Sequence, residues 1–322
     1  MPDSEFDIIA RYFVRQRPAR GDVLLGIGDD AALLQVPAGQ QLVVAVDTLV
    51  AGRHFPDQTS AADIGYKALA VNLSDLAAMG ATPAWATLSL TLPAVDTAWL
   101  QAFADGFFSL ADEYAVALVG GDTTRGPLSV TVQVHGFVEP GKALRRDAAN
   151  PGDAVFVSGA PGEAACALKQ MLLGETPEDA LLQRLNRPQP RVALGRGLAG
   201  LASAAIDVSD GLLADLGHLL AASRCGATLW PDRLPRSPAL QTAYPERALD
   251  FQLNGGDDYE LCFTLPVDHR ETLAAVQALH NVPVHEIGVV EIQTGLRCVY
   301  ADGRSEIPDV HGYDHFRGAE HD

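Results

Sequence analysis

The chain has 322 residues, 48% hydrophobic and 20% charged, which is length for two domains and apolar material for sizeable cores, so disorder is excluded as the default. Its 23 basic residues against 41 acidic ones leave a formal net charge of −18, and they form no run, which argues against a nucleic-acid partner or an anionic membrane surface. No apolar run approaches the roughly 18 residues of a membrane span, the first residues carry no basic leader, and Cys166, Cys225, Cys262 and Cys298 form no Cys-x-x-Cys pair, so a reduced, cytoplasmic protein is expected.

In chain order, Ser4 is placed to cap a helix whose apolar positions Phe6, Ile9, Tyr12 and Phe13 recur at helical spacing before Pro18. Short strands are predicted at 23–25, 32–36 and 41–46, which puts Asp29, Asp30 and Asp47 at strand ends. The first two strands flank Gly26-Ile27-Gly28-Asp29-Asp30, where glycines let backbone approach a ligand and paired carboxylates suit a cation. A helix over 61–79 carries Asn72 and Asp75 on one face, readable either as the solvated side of an amphipathic helix or as part of a site. A strand at 85–92, a helix at 96–113 and a strand at 116–119 then lead into Gly120-Gly121-Asp122-Thr123-Thr124-Arg125-Gly126. That stretch reads as a loop offering amides, a carboxylate, hydroxyls and a guanidinium to phosphate oxygens, or as a plain hairpin turn.

After a long strand at 128–138, the segment Gly136 to Ala143 imitates a P-loop but lacks the hydroxyl residue after Lys142 and opens no helix. A shift toward Ala, Asn, Pro and Gly marks a boundary near 147–153, giving domains 1–146 and 147–322. Arg145 and Arg146 at this hinge read as nucleotide contacts or as a solvated basic pair. The second half alternates again, with strands at 154–158, 204–208, 261–265, 284–290 and 296–299, and helices at 162–173, around 181–185, at 191–201, 212–222 and 269–279. Asp207, Ser209 and Asp210 stand where a strand feeds a helix, and Asp210 is placed to cap that helix. Gly255-Gly256-Asp257-Asp258-Tyr259-Glu260 echoes residues 120–122, and two tail aromatics, Tyr313 and Phe316, lie beyond the last strand.

Two carboxylates about 4 Å apart repel by roughly 4 kcal/mol at an effective dielectric of 20, so a cluster of aspartates requires cations. Magnesium uses only one or two protein carboxylates and fills its octahedron with water and phosphate oxygens. Aspartates spread over several loops therefore point to several magnesium ions along a polyphosphate, the arrangement phosphoryl transfer calls for.

Together, Gly26-Ile27-Gly28-Asp29-Asp30, Asp47-Thr48-Leu49-Val50, His54-Phe55, Lys67 to Asp75 (KALAVNLSD), Gly120-Gly121-Asp122-Thr123, Asp207-Val208-Ser209-Asp210-Gly211 and Gly255 to Glu260 (GGDDYE) resemble the thiamine-monophosphate kinase family. The resemblance runs from residue 5 to 316; single pieces are shared with aminoimidazole ribonucleotide synthetase and selenophosphate synthetase. It implies a two-domain α/β fold of the aminoimidazole ribonucleotide synthetase type with mixed sheets and no P-loop. In that fold the N-terminal domains of a homodimer complete a β-barrel across the interface, and ATP lies in a cleft between domains. The implied reaction converts ATP and thiamine monophosphate into thiamine diphosphate. By the same resemblance Asp30, Asp47, Asp75, Asp122, Asp207 and Asp210 match magnesium ligands, with Asp210 the most critical; Gly121, Asp122, Arg146 and Ser209 match ATP contacts; and His54, Asp257 and Tyr313 match substrate contacts. Asp29 is then a support, and no residue is implied as a general base.

Two positions depart from the family pattern. Ala45-Val46 stands where relatives often carry hydroxyl residues, leaving only backbone carbonyls there, and Asp257 replaces a glutamate, one methylene shorter. An ATP-dependent ligase or synthetase of the same superfamily is the alternative enzyme class, although the selenium enzyme would want an early Cys and none precedes Cys166. A metal-stabilised binding protein is the non-enzymatic alternative.

Overall fold

A computed structural model describes residues 4–14, 20–310 and 312. They form two units, one of residues up to 143 together with 186–196, the other of 144–185 and the residues from 197 onward.

In the first unit, the Ser4 hydroxyl accepts the Asp7 N–H at 3.2 Å and the Asp7 carboxylate accepts the Ser4 N–H at 2.9 Å. This reciprocal cap starts a short helix, Glu5–Ile8 (α1), which continues as a π-helical turn, Ile9–Phe13, in place of the single α-helix the spacing predicts. Val23–Leu25 (β1) and Leu33–Leu34 (β2) form a small antiparallel hairpin, the second strand shorter than predicted. Gln41–Val50 (β3) is longer than predicted, so Asp47 lies inside a strand and not at its end. Ala61–Ala78 (α2) is capped by Ser60 and Thr97–Glu113 (α3) by Asp96, with Thr82–Leu92 (β4) between them. Ala117–Arg125 (β5) and Ser129–Val138 (β6) complete the unit's strands.

The larger sheet runs β3-β6-β4-β5, and β4 with β5 is its one parallel pair. Residues 120–125 are therefore strand, where composition predicts a loop: pairing with Thr87 to Leu92 overrides the turn preference of Gly and Asp. Glycine is required at 121, because φ is +151° and a Cβ would stand 1.8 Å from the Leu88 carbonyl oxygen. Helices α2 and α3 pack backbone to backbone at Gly106, where a Cβ would meet the Ala62 carbonyl oxygen at 1.8 Å. Leu69, Leu73, Leu76, Leu90, Phe103 and Phe107 are fully buried in the core of this unit. Val23, Ala32 and Leu34 of the hairpin region pack on a second cluster around Trp85, Val119 and Phe137. Among the described residues the sheet stays open, with β3 and β5 at its edges, and no closed barrel is formed.

The second unit is built on seven strands: Ala154–Ser158 (β7), Ala204–Val208 (β8), Gly226–Leu229 (β9), Glu260–Leu265 (β10), Val284–Glu291 (β11), Gly295–Val299 (β12) and Ser305–Glu306 (β13). Their order is β13-β12-β9-β11-β7-β10-β8, parallel only between β9 and β12. Every residue of β7, β8 and β10 is buried, as expected for near-continuous apolar runs covered on both faces. The helices of this unit are Glu163–Leu172 (α4), Asp179–Asn186 (α5), Leu212–Ser223 (α7), Pro238–Ala243 (α8), Ala248–Asn254 (α9) and Arg270–His280 (α10), while Val192–Leu198 (α6) falls mostly within residues 186–196 of the first unit. Leu212, Leu216 and Leu219 of α7 join Val155, Val157, Ile206 and Val208 in one core, while α4, α5, α8 and α9 share another around Cys166 and Phe251. Strand β9 and helices α8 and α9 have no counterpart in the sequence-based expectation. The architecture is mixed α/β in two units.

Candidate active site

The first unit holds two groups of the expected residues. Between β1 and β2, Gly28 turns the chain at φ +123° and the Asp29 carboxylate accepts the Asp30 N–H at 2.8 Å, shaping the turn. A cavity of about 610 Å³ is lined by this turn, by Gly120, Gly121, Asp122 and Thr123 of β5, and by the apolar Phe6, Ile9 and Phe13. Asp29, Asp30, Gly121 and Asp122 are all exposed, so glycine backbone and three carboxylates share one cavity wall with solvent. The sequence places these residues in separate motifs, and the sheet brings them together.

The second group lies along β3 and α2. The buried Asn72 accepts the Asp47 N–H on its Oδ1 at 3.0 Å and donates from Nδ2 to the Ala68 carbonyl at 2.9 Å. Helix α2 thus pins β3 at Asp47, and Asp75 follows one turn later. His54 accepts the Val50 N–H on Nδ1 at 3.0 Å, which places the proton of the neutral ring on Nε2. Because β3 and β5 are opposite edges, Asp47 and Asp122 are separated by three strand spacings, about 14 Å. One copy of this unit therefore does not bring its two carboxylate groups together.

In the second unit, Asp207 is buried at the end of β8, opposite Leu261. Ser209, Asp210 and Gly211 follow as a turn into α7. The sequence assigns the cap of this helix to Asp210, but the structure shows no side-chain cap on it; instead Asp215 holds the turn before it, its Oδ2 accepting the N–H of Ser209 at 3.0 Å, of Asp210 at 3.0 Å and of Gly211 at 3.2 Å. Burial, reinforced by the neighbouring Asp207 charge, pushes the Asp215 carboxyl up to about 7 against the pull of these amides. An acidic residue in the first turn of a predicted helix was its only sequence signal.

The Gly255 to Glu260 motif lies against the same turn, with the Asp257 N–H donating to the Ser209 carbonyl at 2.9 Å and the Tyr259 N–H to the Val208 carbonyl at 2.8 Å. Its acidic residues divide between two environments. Asp257 accepts the Tyr259 hydroxyl at 3.0 Å, whereas Asp258 and Glu260 are buried. Asp258 accepts the Gly162 N–H at 2.7 Å at the start of α4, and burial holds its carboxyl well above the usual range. Glu260 meets the Ser158 hydroxyl and Arg184, which also pairs with Glu163 at 3.1 Å. Arg146 is exposed and its carbonyl accepts the Ser223 hydroxyl at 2.7 Å, while the adjacent Arg145 is paired with Asp147. Tyr313 lies outside the described residues. Among those described, no three carboxylate, histidine or cysteine groups are gathered closely enough to hold a metal ion. Yet the exposed donors, Asp30 and Asp122, are hard oxygen ligands of the kind magnesium takes.

Two units of this topology, with carboxylates where glycine-rich turns leave the strands, define a class. Residues 28–138 match the model of the AIR synthase related protein N-terminal domain, and residues 150–300 that of its C-terminal domain. The thiamine-monophosphate kinase of Escherichia coli (strain K12) is 50% identical over 322 residues, 98% of this chain and 99% of its own. The crystal structure of the thiamine-monophosphate kinase from Stenotrophomonas maltophilia K279a superposes with a TM-score of 0.84 at 52% identity, over 88% of this chain and 92% of that one. AaThiL complexed with AMPPCP and TMP gives a TM-score of 0.78 at 30% identity, over 87% and 89%. The chain belongs to the thiamine-monophosphate kinase family.

Proposed function

We propose that this chain transfers the γ-phosphoryl group of ATP to thiamine monophosphate, giving thiamine diphosphate and ADP. The observation that carries this reading is 50% identity with a thiamine-monophosphate kinase along 98% of the chain. AaThiL, with AMPPCP, an ATP analogue, and TMP bound together, supports both substrates.

Asp30, Asp47, Asp75, Asp122, Asp207 and Asp210 are the proposed magnesium ligands; bound there, magnesium ions would neutralise phosphate oxygens. Gly121 and Asp122 would border the nucleotide at the cavity wall, Ser209 would offer a hydroxyl, and Arg146 a guanidinium suited to phosphate oxygens. His54 would present its Nε2 proton to the substrate, and Asp257 and Tyr313 would contact the thiamine moiety. The acceptor is a phosphate oxygen, already ionised at neutral pH. It forms a new P–O bond at the γ-phosphorus as the bond to the β,γ-bridging oxygen breaks, so alignment is required and a general base is not.

We also propose that a homodimer forms and that its two open sheets close into one barrel. Leu42, Val44 and Val46 support this, since they expose one apolar face of edge strand β3. Four free, buried cysteines support work in the cytoplasm, and no helix of the described residues is long and apolar enough to cross a membrane.

Incubation with ATP, magnesium and thiamine monophosphate should yield thiamine diphosphate and ADP in equal amounts. Asp210→Asn should abolish this turnover and His54→Asn should mainly raise the KM for thiamine monophosphate. ADP formed without thiamine diphosphate, or without dependence on thiamine monophosphate, would overturn the assignment and favour a synthetase.

A further inference from the structure

Among the described residues, Asp215 is the one buried carboxylate that grips the backbone of a turn carrying proposed site residues. It stands in the first turn of α7 with only 3% of its surface exposed, and a single oxygen receives three successive amides at 3.0, 3.0 and 3.2 Å. Successive N–H groups converging in this way form an anion-binding cradle, which at a helix start is an ordinary place for a phosphate. In this chain the occupant is the protein's own side chain. The opposite side of the turn is held as well: the Ser209 carbonyl accepts the Asp257 N–H at 2.9 Å, and Gly256 lies so close that a Cβ would stand 2.5 Å from that carbonyl oxygen.

We infer that Asp215 is a positioning residue, which fills the amide cradle of residues 209–211 and thereby fixes the direction in which Ser209 and Asp210 present their side chains. This rests on the function proposed above. Two consequences follow from the geometry. The amides of the turn are engaged, so they do not bind the polyphosphate in the manner of a P-loop. In its ionised form Asp215 also adds a third negative charge beside Asp207 and Asp210, which favours cations at this turn. A neutral residue would do neither, because three N–H donors converging on one uncharged acceptor are weakly satisfied.

Asp215→Asn keeps the shape and one acceptor while removing the charge. Second-sphere partners of metal ligands typically change metal affinity by about 10- to 100-fold. The variant should accordingly raise the magnesium concentration for half-maximal turnover about tenfold. Magnesium-dependent ADP binding, measured by calorimetry without thiamine monophosphate, should weaken in parallel, and the KM for thiamine monophosphate at saturating magnesium should stay within about twofold. A folded variant with altered melting but unchanged magnesium half-saturation and ADP affinity would overturn the inference, since that is the signature of a packing role. Should the variant not fold, hydrogen exchange on the ligand-free wild type decides: the amides of Ser209, Asp210 and Gly211 should be as protected as those of β8, and rapid exchange there would overturn it. A wild type that binds magnesium and ADP but forms no thiamine diphosphate would count against the proposed reaction, with exchange and ADP binding still testing the role of Asp215.

Discussion

Asp257 and Tyr259 both adopt left-handed backbone, φ +67° and +52°, a conformation that costs an L-residue about 1 kcal/mol or more. Their N–H groups are held by the Ser209 and Val208 carbonyls, so the pairing with the neighbouring turn maintains the strain. Among acidic residues aspartate tolerates this region best, which gives a physical reason for Asp257 where the family pattern has a longer glutamate. The shorter side chain is also oriented, because the Tyr259 hydroxyl donates to its Oδ1 at 3.0 Å. Tyr259→Phe removes that bond. With a hydrogen bond contributing about 1 kcal/mol, the KM for thiamine monophosphate should rise about fivefold while kcat stays within about twofold. Steady-state kinetics with an unchanged KM would show that the orientation of Asp257 is immaterial to substrate binding.

The hairpin of β1 and β2 depends on Asp22 in the way the α7 turn depends on Asp215. Asp22 accepts the Arg20 guanidinium at 2.9 and 3.0 Å and the Trp85 indole N–H at 3.1 Å, and its carbonyl accepts the Gln35 N–H at 2.8 Å. It therefore ties the root of the element carrying Asp29 and Asp30 to β4. The Arg20 hydrogen bond holds the Asp22 carboxyl below its usual range, with Trp85 acting the same way against partial burial. A depressed folded pKa means that the ionised form is the stabilising one. The contribution is complete above the unfolded value of about 3.9 and is lost as pH falls through the folded one. Asp22→Asn should destabilise this unit by about 1 kcal/mol at pH 7, and the gap from wild type should close below about pH 4. Urea unfolding at both pH values checks the sign, and a gap that widens in acid would reject it. On the other side of the sheet, Asn72→Ala would leave the Asp47 N–H without its side-chain acceptor and α2 untied from β3. The expected cost is about 1 to 3 kcal/mol, with a raised magnesium requirement, read from unfolding and from turnover at graded magnesium.

Elements with local signals were legible in the sequence, and those imposed from a distance were not. Helices α2 and α3 carry their own caps, Ser60 and Asp96, and their own apolar period. Residues 120–125 carry turn residues, and only the neighbouring β4 makes them a strand. The site divides along the same line. The turn carrying Gly28, Asp29 and Asp30 between β1 and β2 could be read from its residues, whereas Asp47 and Asp122 lie inside strands, and Asn72 and Asp215 act on backbone N–H groups whose approach depends on the folded chain.

At the scale of the molecule, the sheet order β3-β6-β4-β5 sets the problem that a second copy would solve. It places Asp47 on one edge and Asp122 on the other, roughly 14 Å apart, too far for one ion to bridge. On the Asp47 edge, Leu42, Val44 and Val46 are 44%, 50% and 57% exposed at alternate positions, an apolar face on a strand whose outer edge is unpaired in the sheet. An exposed, apolar edge strand of ten residues is a pairing surface unless something covers it. A second copy covering it would bury these residues. Val44→Arg introduces a charge in the middle of that face. Sedimentation should give the wild type at twice the 34.1 kDa chain mass and the variant at the chain mass itself. Turnover should fall with the dimer and recover when the variant is concentrated enough to reassociate. A wild type that sediments as a single chain at full activity would mean that one copy completes the site alone.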